Sequence, residues 1–321
     1  MAANGLLFDD LYEPVIAVSY GMGWNSTAML VGLSERGIRP TVILFADTGG
    51  EKDETYAYLP VIQGWLDSVG FPRVIVVRYV PRRFKNFPPY YTLEDNCLTN
   101  GTLPSLAFGF KSCSLKWKVA PQDAFMSAFR PALEAWSLGL RVRKMIGYDA
   151  GPKDAKRYAH SRHGAPDRRY EYAYPLMEWG WDRKRCAEAI LDAGLPLPPK
   201  SSCFFCPAMQ PEEVRALSPA HLRRIVKLEA RAKPRLKAIE GLWRNGSSGK
   251  RNGSEPKPGS ISKFIRDNEL LPGSEIDSIE QNVCGEIIEY QEGFAAAKAV
   301  GKTEVYEFEH SDEDYREHDG I

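Results

Sequence analysis

The alternation of short apolar runs with helical stretches over residues 14–80 constrains this chain most. Pro14–Tyr20 is a β-branched apolar run and reads as a buried strand. A glycine-bearing turn, Gly21–Asn25, leads into a helix over Ser26–Arg36, with Asn25 or Ser26 as its N-cap. Thr41–Ala46 and Arg73–Val80 read as strands, and Glu54–Val69 between them as a helix. Strands separated by helices pair in parallel through right-handed crossovers. The expected fold class is therefore α/β, a doubly wound, mostly parallel sheet, followed by a helical C-terminal extension.

Further along, Ala120–Ala135 and Asp182–Ala193 read as helical and Arg141–Gly147 as a fourth strand. The proline- and aromatic-rich stretch Pro81–Phe110 is long for a structureless connection, which suggests a functional loop or short structure of its own. Pro196–Pro199 marks a boundary between a nucleotide-binding region, 1–199, and a second region, 200–321. The second region holds a Cys-x-x-Cys segment, helices over Pro211–Leu217 and Ser218–Glu240, a Gly/Ser/Asn/Lys-rich loop over Asn245–Ser260, and an acidic tail.

The composition is that of an ordinary globular protein: of 321 residues, 26% are charged and 43% apolar. No apolar run approaches the roughly 18 residues that a membrane span needs, so no membrane association is expected. Met1–Asp10 carries acids and no base, unlike an export signal. A cytoplasmic location follows as an expectation, and the 6 cysteines then read as reduced thiols or metal ligands rather than disulfides.

Charge sums to zero but is segregated. Arg215–Arg266 holds 14 basic and 3 acidic residues, whereas 267–321 holds 16 acidic and 3 basic. The basic block suits a polyanion such as DNA or RNA; it equally suits a solvated helix face, or a partner for the acidic tail.

The candidate site begins at the first turn. Ser19 ends the strand, and Gly21 and Gly23 allow close backbone approach to a ligand. Amides and hydroxyls of Ser26 and Thr27 would face an anion at the helix start. Asp47, Thr48 and Gly49 end the second strand beside that loop, where ligands of open α/β sheets sit. Cys203 and Cys206 have the spacing of paired metal ligands, with Cys113 and Cys97 as candidates to complete a set of four; Cys186 reads as core. Lys116 is a candidate for binding phosphate or developing negative charge. Lys153–Tyr170, with Arg157, Arg162, Arg168 and Arg169, reads as a basic lid or as a solvated loop. Glu178–Trp181 reads as packing, its tryptophans covering a helix.

Together these motifs resemble the adenine-nucleotide α-hydrolase (PP-loop) superfamily, in its phosphoadenylyl-sulfate reductase branch. The resemblance rests on Gly21, Gly23, Asn25 and Ser26 for the pyrophosphate loop, and on Asp47, Thr48, Gly49, Glu54 and Thr55 for the Asp-Thr-Gly and Glu-Thr elements. It continues with Cys113, Lys116 and Pro121, with Gly147, Asp149 and Arg157, and with Cys203, Cys206 and Pro207, covering roughly residues 14–210. It implies an enzyme that binds ATP and Mg²⁺ and cleaves ATP to AMP and pyrophosphate, adenylating a substrate in sulfur transfer or nucleic-acid modification. Its iron–sulfur members imply a [4Fe-4S] cluster on Cys113, Cys203 and Cys206, with Cys97 added as the fourth ligand by its location in the long loop alone, and with Zn²⁺ as the alternative. A sulfur-donor protein is an implied partner; the oligomeric state is left open.

The departures are specific. Gly21 and Met22 replace the usual serine and glycine, and Trp24-Asn25 replaces Lys-Asp, which removes a positive charge from the loop. Sulfonucleotide reduction, an alternative activity, uses a cysteine between an acid and a histidine. Cys284, in Asn282–Glu286, lacks both flanking residues. A non-catalytic nucleotide-binding subunit is the further alternative.

Overall fold

The computed structural model describes residues 13–81, 84, 86, 88–110, 112–161, 167–247, 249 and 255–283. Five strands form one all-parallel sheet: β1 (Ile16–Ser19), β2 (Val42–Asp47), β3 (Val74–Arg78), β4 (Val142–Ile146) and β5 (Tyr170–Ala173), in the order β3-β2-β1-β4-β5. All six residues of β2 are buried, as a parallel strand covered on both faces requires. β3 lies at one edge, and Ile75 and Val76 there are exposed. Helices α1 (Trp24–Glu35) and α2 (Asp53–Ser68) make the first crossovers. Asp53 and Glu54 in the first turn of α2 suit the positive end of its dipole.

The α/β class and parallel sheet expected from the sequence are present; the start of the first helix differs. The N-cap of α1 is Gly23, not Asn25 or Ser26: Trp24 already lies inside the helix, and Thr27 donates to Gly23 O at 3.0 Å. The long stretch before residue 110 contains α3 (Leu93–Asn100), capped by the Thr92 hydroxyl, which accepts from the Asp95 amide.

Two apolar clusters cover the two faces of the sheet. One packs α1, α2 and Arg183–Asp192 against it, and buries Cys186 as expected. Trp179 lies so close to α1 that a Cβ on Gly32 would meet its ring at 2.3 Å. The other cluster packs Met126, Ala132 and Ala135 of the helices Ala120–Met126 and Arg130–Ser137. A third cluster lies off the sheet and joins Tyr90–Trp117 to Cys203–Ile276, so it draws residues from both sides of the 199/200 boundary. No helix among the described residues is long and apolar enough to cross a membrane.

The strand order reverses at β1. The chain moves outward from β1 through β2 to β3, then returns to place β4 on the other side of β1. Such a reversal opens a crevice at the carboxyl ends of the two diverging strands. The loops after β1 and β4 border that crevice.

Candidate functional site

The loop after β1 folds around one oxygen atom. Gly21 N and Gly23 N both donate to Ser26 Oγ, at 3.2 and 3.3 Å, and Ser26 Oγ donates to Gly23 O at 3.1 Å. Met22 between them takes φ 59° with its side chain fully buried. A left-handed residue that is not glycine is unfavourable by about 1–2 kcal/mol, and burial of the thioether offsets that cost. Thr27 is spent inside the fold: its amide bonds Gly23 O, and its hydroxyl shares a 3.1 Å hydrogen bond with Tyr20. Ser19 Oγ donates to Gln122 Oε1 at 2.7 Å.

The loop after β4 packs directly on the start of α1. A Cβ on Gly147 would lie 3.0 Å from Ser26 N and 3.1 Å from Asn25 C and O, so this position admits glycine alone without movement of backbone. Asn25 Nδ2 donates to Asp149 Oδ2 at 2.9 Å and to Asp154 Oδ2 at 3.0 Å, and both carboxylates are buried. Arg157 pairs with Asp154 Oδ1 at 3.0 Å from the helix Pro152–Ser161. Part of the expected lid is thus helical; Arg162 and His163 lie outside the described residues.

At the end of β2, Asp47 is fully engaged. Its Oδ1 accepts from Gly49 N at 2.8 Å and Tyr56 Oη at 2.7 Å, and its Oδ2 accepts from Arg78 Nε and Nη2 at 2.9 and 2.7 Å. Thr48 Oγ1 accepts from Gly50 N and shares a 3.2 Å hydrogen bond with Cys203 Sγ. Gly49 carries φ +70° and lies against Thr92.

A π-helical turn, Leu115–Val119, passes from the cysteine side toward the sheet. Such turns often accompany functional sites. Lys118, rather than Lys116, reaches across it to Glu51, at 3.1 Å. The Glu51 side chain is wholly buried, and its second oxygen has no hydrogen-bond partner. Burial would lower the Lys118 ammonium, but Glu51 and Cys203 more than offset this and hold it above the usual lysine range. Lys116 Nζ lies 5.1 Å from the centre of the Tyr79 ring.

Cys97 on α3 and Cys203 are buried members of the third apolar cluster, and Cys113, before the π-helical turn, and Cys206, on one tight turn with Cys203, pack against it. Gly50 O accepts from Phe204 N at 2.9 Å, which ties this turn to the end of β2. Burial pushes the Cys97 thiol up, and the neighbouring Cys203 and Cys113 push it further. Cys203 is pushed up to about 12, by burial and then by Glu51. Cys206 is raised by burial and also by Cys113. Among the described residues, no three His, Cys, Asp or Glu side chains are arranged to hold a metal ion as they stand.

Among the described residues, the basic block is partly paired within the molecule. Arg215 pairs with Glu255, Arg223 with Glu275, Arg224 with Glu94, and Arg266 with Asp277. Arg235 donates to Asn100 O at 2.6 Å. The acidic tail beyond 283, Cys284, and residues 248 and 250–254 of the Asn245–Ser260 loop lie outside the described residues.

Sequence reasoning missed the Glu51–Lys118 pair, the Asp47–Arg78 pair and Arg183. The last donates to Asn25 Oδ1 at 3.1 Å. These contacts span 31 to 158 positions, and no local pattern announces them. Compared with known protein families and curated proteins, the chain matches no family model and no curated protein.

Proposed function

We propose that this chain is a PP-loop ATP pyrophosphatase that adenylates an acceptor, in sulfur transfer or nucleic-acid modification. The observation that carries the reading is the convergence of the Gly21 and Gly23 amides on one oxygen, at the N-terminus of a 12-residue helix bordering the crevice. Amides gathered in this way can donate to a phosphate oxygen that takes the place of the Ser26 hydroxyl, and the helix dipole favours negative charge there. The first turn of α1 contains no acid to oppose it.

In the reaction, an acceptor oxygen bonds to the α-phosphorus while the bond to the bridging oxygen breaks. Pyrophosphate leaves with that electron pair, and AMP leaves in turn when a sulfur or nitrogen nucleophile bonds to the acceptor carbon and displaces the adenylated oxygen. The loop amides hold the departing phosphates, and the fold's share is positioning and charge stabilisation. Asp149 and Asp154, each one hydrogen bond from Asn25, are the carboxylates that would hold Mg²⁺. Lys116 and Arg157 are the assigned cations for charge developing on the phosphates; Arg157 would first have to leave Asp154.

Four thiols within or against one apolar cluster fit the donor chemistry of a [4Fe-4S] cluster, and less specifically that of Zn²⁺. A bound cluster would supply electron-transfer or sulfur-handling chemistry beside the nucleotide. The hydrogen bond shared by Cys203 and Thr48 joins the cysteine turn to the end of β2.

The test is product analysis with radiolabelled ATP and Mg²⁺. AMP and pyrophosphate are expected; ADP and phosphate, or no turnover in the presence of small acceptors and nucleic acid, would overturn the reading.

A further inference from the structure

The cations near the phosphate loop are mostly neutralised by carboxylates. Arg78 is held by Asp47, Lys118 by Glu51 and Arg157 by Asp154. Lys200 and Lys52 share Glu213, at 2.7 and 4.0 Å. Arg183 differs from all of these. It forms no ion pair among the described residues, and its hydrogen-bond acceptor is a neutral amide, Asn25 Oδ1 at 3.1 Å. Its guanidinium carbon lies 4.2 Å from the centre of the Trp24 ring.

Both anchors belong to the loop, at the two positions where Trp24 and Asn25 stand. Each anchor is itself fixed. Trp24 Nε1 donates to Pro198 O at 2.7 Å, which turns the indole toward the 195–201 segment. Asn25 is held through Nδ2 by Asp149 and Asp154, which leaves its carbonyl oxygen for Arg183. Arg183 opens the helix Arg183–Asp192, and the Asp182 carboxylate caps that helix by accepting from Arg185 N at 2.8 Å. Backbone and side chain are thus both set. One edge of the guanidinium is occupied, and Nε and Nη2 make no hydrogen bond among the described residues.

We propose that Arg183 is a phosphate-binding residue of the loop: a cation carried in from a distant helix, which reads the β- and γ-phosphates of a nucleoside triphosphate. An exposed guanidinium edge held over an aromatic ring is a fork suited to phosphate oxygens. Stacking on Trp24 supplies orientation, and the lack of a carboxylate partner means that no internal ion pair must break before an anion binds. The inference rests on the reading of the Gly21–Ser26 loop as a phosphate cradle.

Binding of ATP and of AMP to the full chain, measured by calorimetry, separates the two. The wild-type protein should bind ATP more tightly than AMP. Arg183→Gln should weaken ATP binding about tenfold or more, with AMP binding changed less than twofold. Arg183→Lys should recover part of the loss, and Trp24→Leu, which leaves the arginine in place without its stacking partner, should fall between. If wild type prefers ATP and Arg183→Gln retains that preference, the arginine assignment is wrong while the loop reading stands. If wild type binds no ATP, the loop reading fails and takes this inference with it. Equal loss of ATP and AMP binding in Arg183→Gln and Arg183→Lys would mark a structural role and also overturn the assignment.

Discussion

Raised thiols define the chemistry of Cys97, Cys203 and Cys206. Burial in the apolar cluster is the first cause at each, and neighbouring sulfur adds to it at Cys97 and Cys206. At neutral pH such groups carry their protons, so uptake of a metal must release them. Protein purified without oxygen is expected to contain iron and inorganic sulfide. Replacing Cys97, Cys113, Cys203 or Cys206 by serine should abolish the iron, whereas Cys186→Ala, in the sheet core, should retain it. Zinc in place of iron would select the alternative ion, and absence of both would remove the metal reading. At this scale the sequence was partly legible. The i, i+3 spacing marks Cys203 and Cys206, and the fold supplies Cys97 and Cys113 from stretches that spacing cannot relate to them. Asp47 stands at the end of β2 as its position suggested, but Arg78, which binds it, comes from the next strand.

Elements explain why the loop keeps its shape. α1 begins one residue after Gly23, β4 ends against its first turn, and the 195–201 segment accepts the Trp24 indole. That last segment is secured farther on by Glu213, which accepts from Lys200 at 2.7 Å and from Gln210 N at 2.9 Å. Burial acts to raise the Glu213 carboxyl, yet the bonds from Lys200 and Gln210, together with Lys52, leave it lowered from its usual 4.5. A carboxyl lowered in the folded state contributes stability that is complete above the unfolded value and lost as pH falls through the folded one. Acid unfolding should therefore gain a component below about pH 4.5, and Glu213→Gln should flatten it in a urea titration against pH. A slope unchanged by that substitution would contradict the assignment. Strands and crossover helices of the first half were readable because their apolar periods are regular. The length of 81–110 suggested short structure within it, but the bounds of α3 were not legible, since Pro88, Pro89 and two tyrosines precede its Thr92 cap and mask the start of a helix. β5 was missed: Tyr170–Ala173 is a four-residue edge strand following an arginine-rich stretch.

For the whole molecule, summed charge is a poor guide to available charge. Arg215, Arg223, Arg224 and Arg266 are drawn into pairs with Glu255, Glu275, Glu94 and Asp277, three of these acids lying outside the block's helices and one on α3. A nucleic acid would have to compete with those carboxylates. With five of the block's 14 basic residues held in ion pairs, affinity for DNA or RNA should fall with salt at a slope matching no more than about nine phosphates; a slope of about fourteen would show that the pairs open on binding. The count of basic residues was plain in the sequence. Their partners were hidden, because Glu94 lies 130 positions from Arg224 and meets it only once the third apolar cluster has formed.

The strand order carries a cost for synthesis. β1 is the first strand made and ends at the centre of the sheet, yet its partner on one side, β4, leaves the ribosome only after the whole stretch from α1 to residue 141. Until then the nascent sheet exposes an unpaired hydrogen-bonding edge, the kind of surface that recruits other extended chains. Truncated products ending before β4 should consequently be captured by chaperones or aggregate, even though they already contain the entire glycine turn.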